Sequence, residues 1–351
     1  MDIGFVTPLS VSGIVRGASG GKRILSHVSL HALGNVGNAL EGVEFSGIWN
    51  TQTDYMMGVQ GAGIINIVNG NAGFAQGAGV ANIVGGVFAG AQGAGVFNIA
   101  AGGLRGAQGA GVFNSAGDGE MVQGAGVFNN AGNMKGVQAA GVFNTAKDVE
   151  GVQVAGVFNS ARHVRGAQIG LINFAEDNED VMIGLLNFSS KHGIRLELYT
   201  DEMRFIRAGL RTGNKAWYTT LTGGLQPFTG ITIWSLGYGA GAQLYLGQKD
   251  FIDIGLHTET MFNGVFTRDF AVYAQALRLR TMFGHDFAPH FSVFIGPTLN
   301  VMAGVDNQVY ELATNLFPGS GFIATSNNIN FFGSNNAWLR SWVGITGGFR
   351  F

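Results

Sequence analysis

The chain has 351 residues, of which 59 are glycine and none is cysteine, and it carries 20 Lys+Arg against 22 Asp+Glu. Disulfide scaffolds and thiolate metal sites are excluded, and a formal charge of −2 gives no electrostatic basis for a nucleic-acid partner. Charged residues make up only 12%, about half the usual ~25%, while 46% hydrophobic content with 27 Phe is too high for a disordered chain.

Met1-Asp2-Ile3-Gly4 lacks the basic and apolar regions of a signal peptide, so the sequence reads as a mature form of an exported protein. A first strand is expected near Ile3–Val11. No charge occurs from Tyr55 to Leu104, yet the recurring Gly, Asn and Gln are incompatible with membrane helices, because glycine weakens a helix and amides are costly in lipid.

The next feature is an internal repeat. GVQGAGIINIV, FAQGAGVANIV, GAQGAGVFNIA, GAQGAGVFNSA, MVQGAGVFNNA, GVQAAGVFNTA and GVQVAGVFNSA follow one another from Gly58 to Ala161. Asn66, Asn82, Asn98, Asn114, Asn129, Asn144 and Asn159 mark a period of 16 and then 15 residues. Asn35 and Asn50 extend it upstream, and Asn173 and Asn187 downstream at a period of 14, giving eleven repeats.

Two architectures fit so short a period. One is a β-solenoid with one coil per repeat, in which Asn and Gln stack in ladders. The other is an antiparallel meander with one strand per repeat. Asn69-Gly70, Gly85-Gly86, Gly117-Asp118 and Gly132-Asn133 read as tight hairpin turns and favour the meander. Pairing across Lys147-Asp148 puts Gly136, Gln138, Ala140, Val142 and Asn144 on one face and Val137, Ala139, Gly141 and Phe143 on the other. In this reading Phe113, Phe128, Phe143 and Phe158 face lipid, and the Gln and Asn side pairs with neighbouring strands or water. Gln168 and Asn173 lie an odd distance apart and require a bulge that the sequence does not place.

After Asn187 a period of two takes over. Ile252, Ile254, Leu256 and Phe262 oppose Asp253, His257 and Glu259; Tyr273, Leu277, Leu279 and Phe283 oppose Arg278 and Arg280; Phe291, Val293, Ile295, Leu299 and Val301 oppose His290, Ser292, Thr298 and Asn300. An apolar face opposite a polar one on successive strands is the pattern of a transmembrane barrel. Eight strands are expected, near 193–200, 203–212, 216–225, 231–246, 251–263, 268–283, 288–304 and 337–351. The Asn-, Ser- and Gly-rich stretch from Asp306 to Ala337 reads as a long loop able to fold inward.

In the last ten residues Val343, Ile345, Gly347, Phe349 and Phe351 alternate with Gly344, Thr346, Gly348 and Arg350. This segment resembles the C-terminal strand of Gram-negative outer-membrane β-barrels. The resemblance implies that Phe349 and Phe351 belong to a recognition signal for the barrel-assembly machinery. Through its GVQ-x-AG-x-x-N copies the whole chain also resembles repeat-bearing bacterial outer-membrane proteins of unassigned function.

The expectation is an all-β antiparallel transmembrane barrel of about twenty strands over 1–351, with a repeat half (24–190) and a longer-strand half (191–351). The alternative is an N-terminal β-solenoid followed by an eight-stranded C-terminal barrel. The expected location is the bacterial outer membrane. The expected activity is that of a porin-like passive channel for small solutes, the alternative a non-conducting structural or partner-binding subunit. Partners would be outer-membrane lipid, the assembly machinery and other outer-membrane subunits. Arg195, Glu197, Arg207, Arg211, Asp253, His257, Glu259, Arg278 and Arg280 are the candidate lumen patch, either ion-paired across strands, with Asp253 opposite Arg278 if the loop between Phe262 and Asp269 is short, or forming a selective constriction. His257 with Asp253 and Glu259 lacks an identifiable nucleophile, so catalysis is not expected. The segment from His285 to His290 reads either as metal ligands or as a Pro-containing turn. No cofactor is expected.

Overall fold

A computed structural model describes residues 2–6, 25–178, 180–191, 193–203, 205–214, 216–226, 233–263, 271–304, 324–331 and 334–351. Among these there is no helix. The chain divides into two compact units, Met1–Ile183 and Gly184–Phe351.

The first unit is a parallel β-solenoid, one coil per repeat, and not the repeat half of a twenty-stranded barrel. Identical residues of successive repeats stack directly: Phe128, Asn129 and Gln138 align with Phe143, Asn144 and Gln153, and these with Phe158, Asn159 and Gln168. The glycine pairs expected to be hairpin turns are corners of the coil, and the chain continues in the same rotational sense past each of them. Of the expected first strand, Asp2–Val6 pairs parallel with Leu25–Ser46, and residues 7–11 lie outside the described residues.

Two kinds of glycine make the corners. Gly151 has φ +143°, and a Cβ there would come within 2.0 Å of the Gly136 carbonyl oxygen in the coil below. Gly141 is barred from a side chain by the Gly126 oxygen at 2.2 Å. One coil breaks the first rule. Phe74 stands in register between Gly58 and Gly90, with φ +76° and its side chain exposed.

Inside each coil the Asn and Gln are fully or almost fully buried. Each Gln Nε2 donates to the Oε1 of the preceding coil's Gln, from Gln168 back to Gln60, at 2.7–2.9 Å. Each Asn Nδ2 donates in the other direction, from Asn50 forward to Asn173, at 2.8–3.0 Å. Ladders of this kind satisfy polar groups that would otherwise be costly to bury. Between them runs an apolar column, Leu40, Met56, Ala72, Phe88 and Leu104, in which small Ala72 lies beside large Phe88.

The bulge expected between Gln168 and Asn173 is not needed. Both side chains are buried and in ladder contact, and the 14-residue coil is shortened at the Gly170-Leu171 corner. The same kind of corner puts Val142 outside, 39% exposed, whereas the meander grouped it with Gln138 and Asn144. The Phe side chains are half-buried on the outside, and Phe97, Phe113, Phe128 and Phe143 stack with centroids 4.8–4.9 Å apart.

The second unit is the eight-stranded antiparallel barrel of the alternative reading. Its strands are Arg195–Asp201, Ile206–Gly213, Trp217–Gln226, Ile233–Tyr245, Asp250–Asn263, Ala271–Ala288, Phe291–Gly304 and Ser334–Arg350. Glu197 pairs with Arg350 and Asp201 with Thr346, which closes the ring. All eight correspond to expected strands. A further strand, Ala324–Phe331, pairs with Ser334–Arg350 within the stretch read as a loop; residues 305–323, on which inward folding was expected, lie outside the described residues.

The outward faces are apolar, with Leu198, Ile206, Leu236, Leu256, Leu279, Ile295 and Ile345 at 40–56% exposure. The expected lipid-face Tyr273 has a side chain outside those described. Aromatic residues gather at the two strand ends. Trp234 stacks on Phe262 at 4.3 Å at one, and Phe291 lies 5.5 Å from Phe351 at the other. Where outward residues are polar, as at Thr212 and Thr219, Asn187 covers and hydrogen-bonds them. The termini end also carries the short links at 214–216, 246–249 and 289–290.

Candidate functional site: a charge-filled barrel lumen

Alternation along each strand sends every second residue inward. On Asp250–Asn263 these are Phe251, Asp253, His257, Glu259 and Met261, and on Ala271–Ala288 they include Arg278, Arg280 and Met282; all are buried. Glu197, Arg207 and Arg211 are buried with them, so eight of the nine candidate residues enter one interior. Arg195 is half-buried at the rim, beside Tyr245 and Gln243, around a cavity of about 20 Å³.

These side chains are tied together in two groups. In the group nearer the termini, Arg350 Nη2 lies 2.8 Å from Glu197 and 2.6 Å from Asp253, and Arg211 Nη1 lies 2.5 Å from Asp253 and 3.4 Å from Glu197. Gln243 Oε1 accepts from both guanidiniums. In the farther group Arg207 meets Glu259 bidentately at 2.8 and 3.0 Å, and both Arg207 and Arg278 bind Asp201. Arg278 lies 3.3 Å from Glu259. Arg280 stands between the groups, 3.9 Å from Glu197 and 4.5 Å from the Tyr199 ring centroid, an arrangement in which the ring face supports the cation.

The ion-paired reading therefore describes seven of the nine candidates, Glu197, Arg207, Arg211, Asp253, Glu259, Arg278 and Arg280, with different partners from those expected. Arg278 is opposite His257, and Asp253 is opposite Met282. The observed register, with Asn263 opposite Ala271, is not the one the expected short loop required, and residues 264–270 lie outside the described residues. Asp201 and Arg350 were missing from the candidate list. Asp201 falls one residue beyond the expected strand end, and Arg350 lies on the polar face of the terminal strand, where alternation alone would have found it. Tyr218, whose ring lies 3.3 Å below the Arg211 guanidinium, carried no charge to mark it.

Small inward residues make room for the large ones. A Cβ at Gly239 would fall 2.1 Å from His257 Nδ1, one at Gly241 2.4 Å from the Tyr218 hydroxyl, and one at Gly284 2.1 Å from Phe251. Apolar clusters pack against both ionic groups. Tyr199, Phe251, Met282 and Phe294 form one, beside Arg280 and Arg350, and Met203, Phe205, Ile233, Met261, Met302, Trp338 and Trp342 form the other, at the far end. A barrel of eight strands has an interior just wide enough for side chains to fill.

Phe349 and Phe351 point outward, 48% and 46% exposed, and stack around Phe291. His285 lies in the strand before the turn at 289–290, its Nδ1 2.6 Å from Asp250 Oδ1, and both side chains are exposed. Among the described residues no three His, Asp or Glu are grouped closely enough to hold a metal ion.

The solenoid carries a column of exposed charge on its outer surface. Arg105, Glu120, Lys135, Glu150 and Arg165 form a column of alternating sign. Beside it the Arg162 guanidinium, 2.8 Å from Asp148, holds that carboxyl below the usual carboxylate range. Comparison of the chain with protein-family models, curated proteins and solved structures gives no match.

Proposed function

We propose that this chain is an integral outer-membrane protein in which a closed, non-conducting eight-stranded barrel serves as the anchor and the β-solenoid as a structural or partner-binding module. The observation that carries the reading is the lumen, where five arginines and four carboxylates are buried and mutually paired. A solute path would have to break contacts among buried charges, each costly to leave unpaired. The apolar outer face, the two aromatic groups and the short links at the termini end are what supports placement in a bilayer. The outer membrane itself, and assembly through Phe349 and Phe351, rest on the resemblance of the last strand. Porin-like passage of small solutes is the weaker reading, because it requires an open lumen.

The test is reconstitution of the full chain into a planar bilayer, with insertion established independently by heat-modifiable gel mobility. Insertion without discrete conductance steps is the expected result. Stable unitary steps that change ion selectivity in Arg278→Gln or Arg280→Gln would overturn the closed-anchor reading in favour of a channel.

A further inference from the structure

At the termini end of the barrel lumen one arginine stands apart from the ion pairs. Arg195 lies directly opposite Arg211 on the neighbouring antiparallel strand, and both are on the lumen face. Like charges opposed in this way are destabilising unless something lies between them. Among the described residues no carboxylate is within ion-pairing distance of Arg195. Arg211 has counter-charges, but it shares them: Asp253 and Glu197 also serve Arg350, and Glu197 faces Arg280 as well. Four arginines thus meet two carboxylates on this side, whereas Arg207 and Arg278 are matched by Asp201 and Glu259 in the farther group. Asp286, at the rim, accepts from the Tyr245 and Ser292 hydroxyls and ion-pairs with none of the four.

The excess positive charge borders the cavity of about 20 Å³ lined by Arg195, Arg211, Gln243, Tyr218 and Tyr245. Gln243 brings an unmet donor to it. Its Oε1 accepts from Arg211 Nη2 at 2.5 Å and from Arg350 Nη1 at 3.1 Å, which fixes the sense of the amide. Its Nε2 has no partner, although the residue is only 4% exposed, and a buried donor left so is costly. Arg211 spends Nη1 on carboxylates and Nη2 on Gln243, which leaves its Nε–H.

We infer that this cavity binds one small monovalent anion of halide size, held by Arg195, Arg211 and Gln243 Nε2. Space sets the class. A single water needs about 10–15 Å³ of such room, so about 20 Å³ admits a monatomic ion and excludes phosphate, sulfate or a carboxylate. Charge selects an ion over water, because a water accepts from the donors but leaves the opposed guanidiniums uncompensated, whereas an anion attracts both. Arg195 is half-buried at the rim, so the ion reaches the site without passing through the lumen. Bound there, it ties the first barrel strand to the strands carrying Arg211 and Gln243, and barrel stability responds to halide and not to ionic strength alone.

The test takes the full chain refolded in non-ionic detergent micelles at constant ionic strength, with chloride exchanged for gluconate, which is too large for the cavity. The urea midpoint for loss of heat-modifiable mobility should rise saturably with chloride, as for a ligand that binds only the folded state. The chloride NMR line should broaden on adding protein and sharpen when bromide competes. Arg195→Gln removes the opposed pair and should weaken chloride binding about tenfold or more, with a midpoint in gluconate no lower than that of the unsubstituted chain. Gln243→Glu supplies the negative charge from the chain itself and still accepts from Arg211 and Arg350. It should abolish the chloride dependence, with a midpoint in gluconate equal to that of the unsubstituted chain in chloride. A crystal grown with bromide should place one bromide within hydrogen-bond distance of Gln243 Nε2. Equal midpoints in chloride and gluconate, a chloride line that the protein does not broaden, or chloride effects that persist in both variants would overturn the inference. A water in the cavity of bromide-grown crystals would do the same. None of these readouts measures current, so the anion site and the closed anchor stand or fall separately.

Discussion

Glu44 stands where the Gln ladder reaches its first coil, in register with Gln60 and without solvent exposure. Its carboxylate accepts from Gln60 Nε2 at 2.6 Å, from Gln52 Nε2 at 2.9 and 3.0 Å, and from Asn35 Nδ2. All seven Gln–Gln bonds donate towards this end, so the terminal group must accept from several amides and donate to none, which a carboxylate does and an amide does not. Glu44→Gln retains the shape but turns an NH2 towards amide donors, leaving about two buried N–H groups without acceptors at ~1–3 kcal/mol each. Offsetting this is the smaller desolvation of a neutral side chain, so the net loss is about 3 kcal/mol. Hydrogen exchange on the full chain reads the effect locally, and at 1.36 kcal/mol per tenfold the protection of residues 42–62 should fall about 100-fold. Protection in the Gly136–Gln153 coils should change far less, since each coil contacts only its neighbours. Unchanged or increased protection at 42–62 would refute the assignment of Glu44 as the ladder's acceptor.

Phe74→Gly should stabilise the solenoid. It removes a left-handed φ that costs about 1–2 kcal/mol in an L-residue and adds about 0.5–1 kcal/mol of glycine entropy, for a gain near 1 kcal/mol and about 2–4 °C in the thermal midpoint. A lowered midpoint would show that the Phe74 ring contributes contacts outweighing its backbone. Asp253→Asn should leave Arg211 and Arg350 short of a buried counter-charge and cost about 3–5 kcal/mol, read as a lower urea midpoint for loss of heat-modifiable mobility. An unshifted midpoint would mean that the termini-side ion group does not stabilise the barrel.

The barrel was legible because its strands obey a single rule, alternation, and break it at few places. Ile254 and Asp253, or Ile345 and Thr346, point opposite ways in sequence and in structure alike. What alternation does not give is partnership across the lumen. Arg350 meets Asp253 through the interior, 97 positions away in sequence, and no local signal encodes that distance.

The repeats were harder because Gly-Asp, Gly-Asn and Gly-Gly are suited to a hairpin and to a solenoid corner alike. The distinguishing feature was the drift in period from 16 to 15 to 14. In a meander each lost residue reverses the faces and needs a different turn to restore them. In a solenoid the loss is absorbed at a corner, and the Asn and Gln columns continue unchanged. Chemical identity carried the same message. Phe113, Phe128 and Phe143, or Asn129 and Asn144, gain most when each meets a copy of itself, as in-register stacking provides.

The opposed directions of the two amide ladders bear on how such a chain can change length. Side-chain amides aligned in one direction add their dipoles, as peptide units do in a helix, so a single ladder would build a larger field at its ends with every coil. Here each coil contributes one Asn donating forward and one Gln donating backward, and the two largely cancel. Inserting or deleting a coil then leaves the electrostatic environment of Glu44 and of the last coil nearly unchanged. Repeat number becomes a parameter that duplication can alter without redesigning either end.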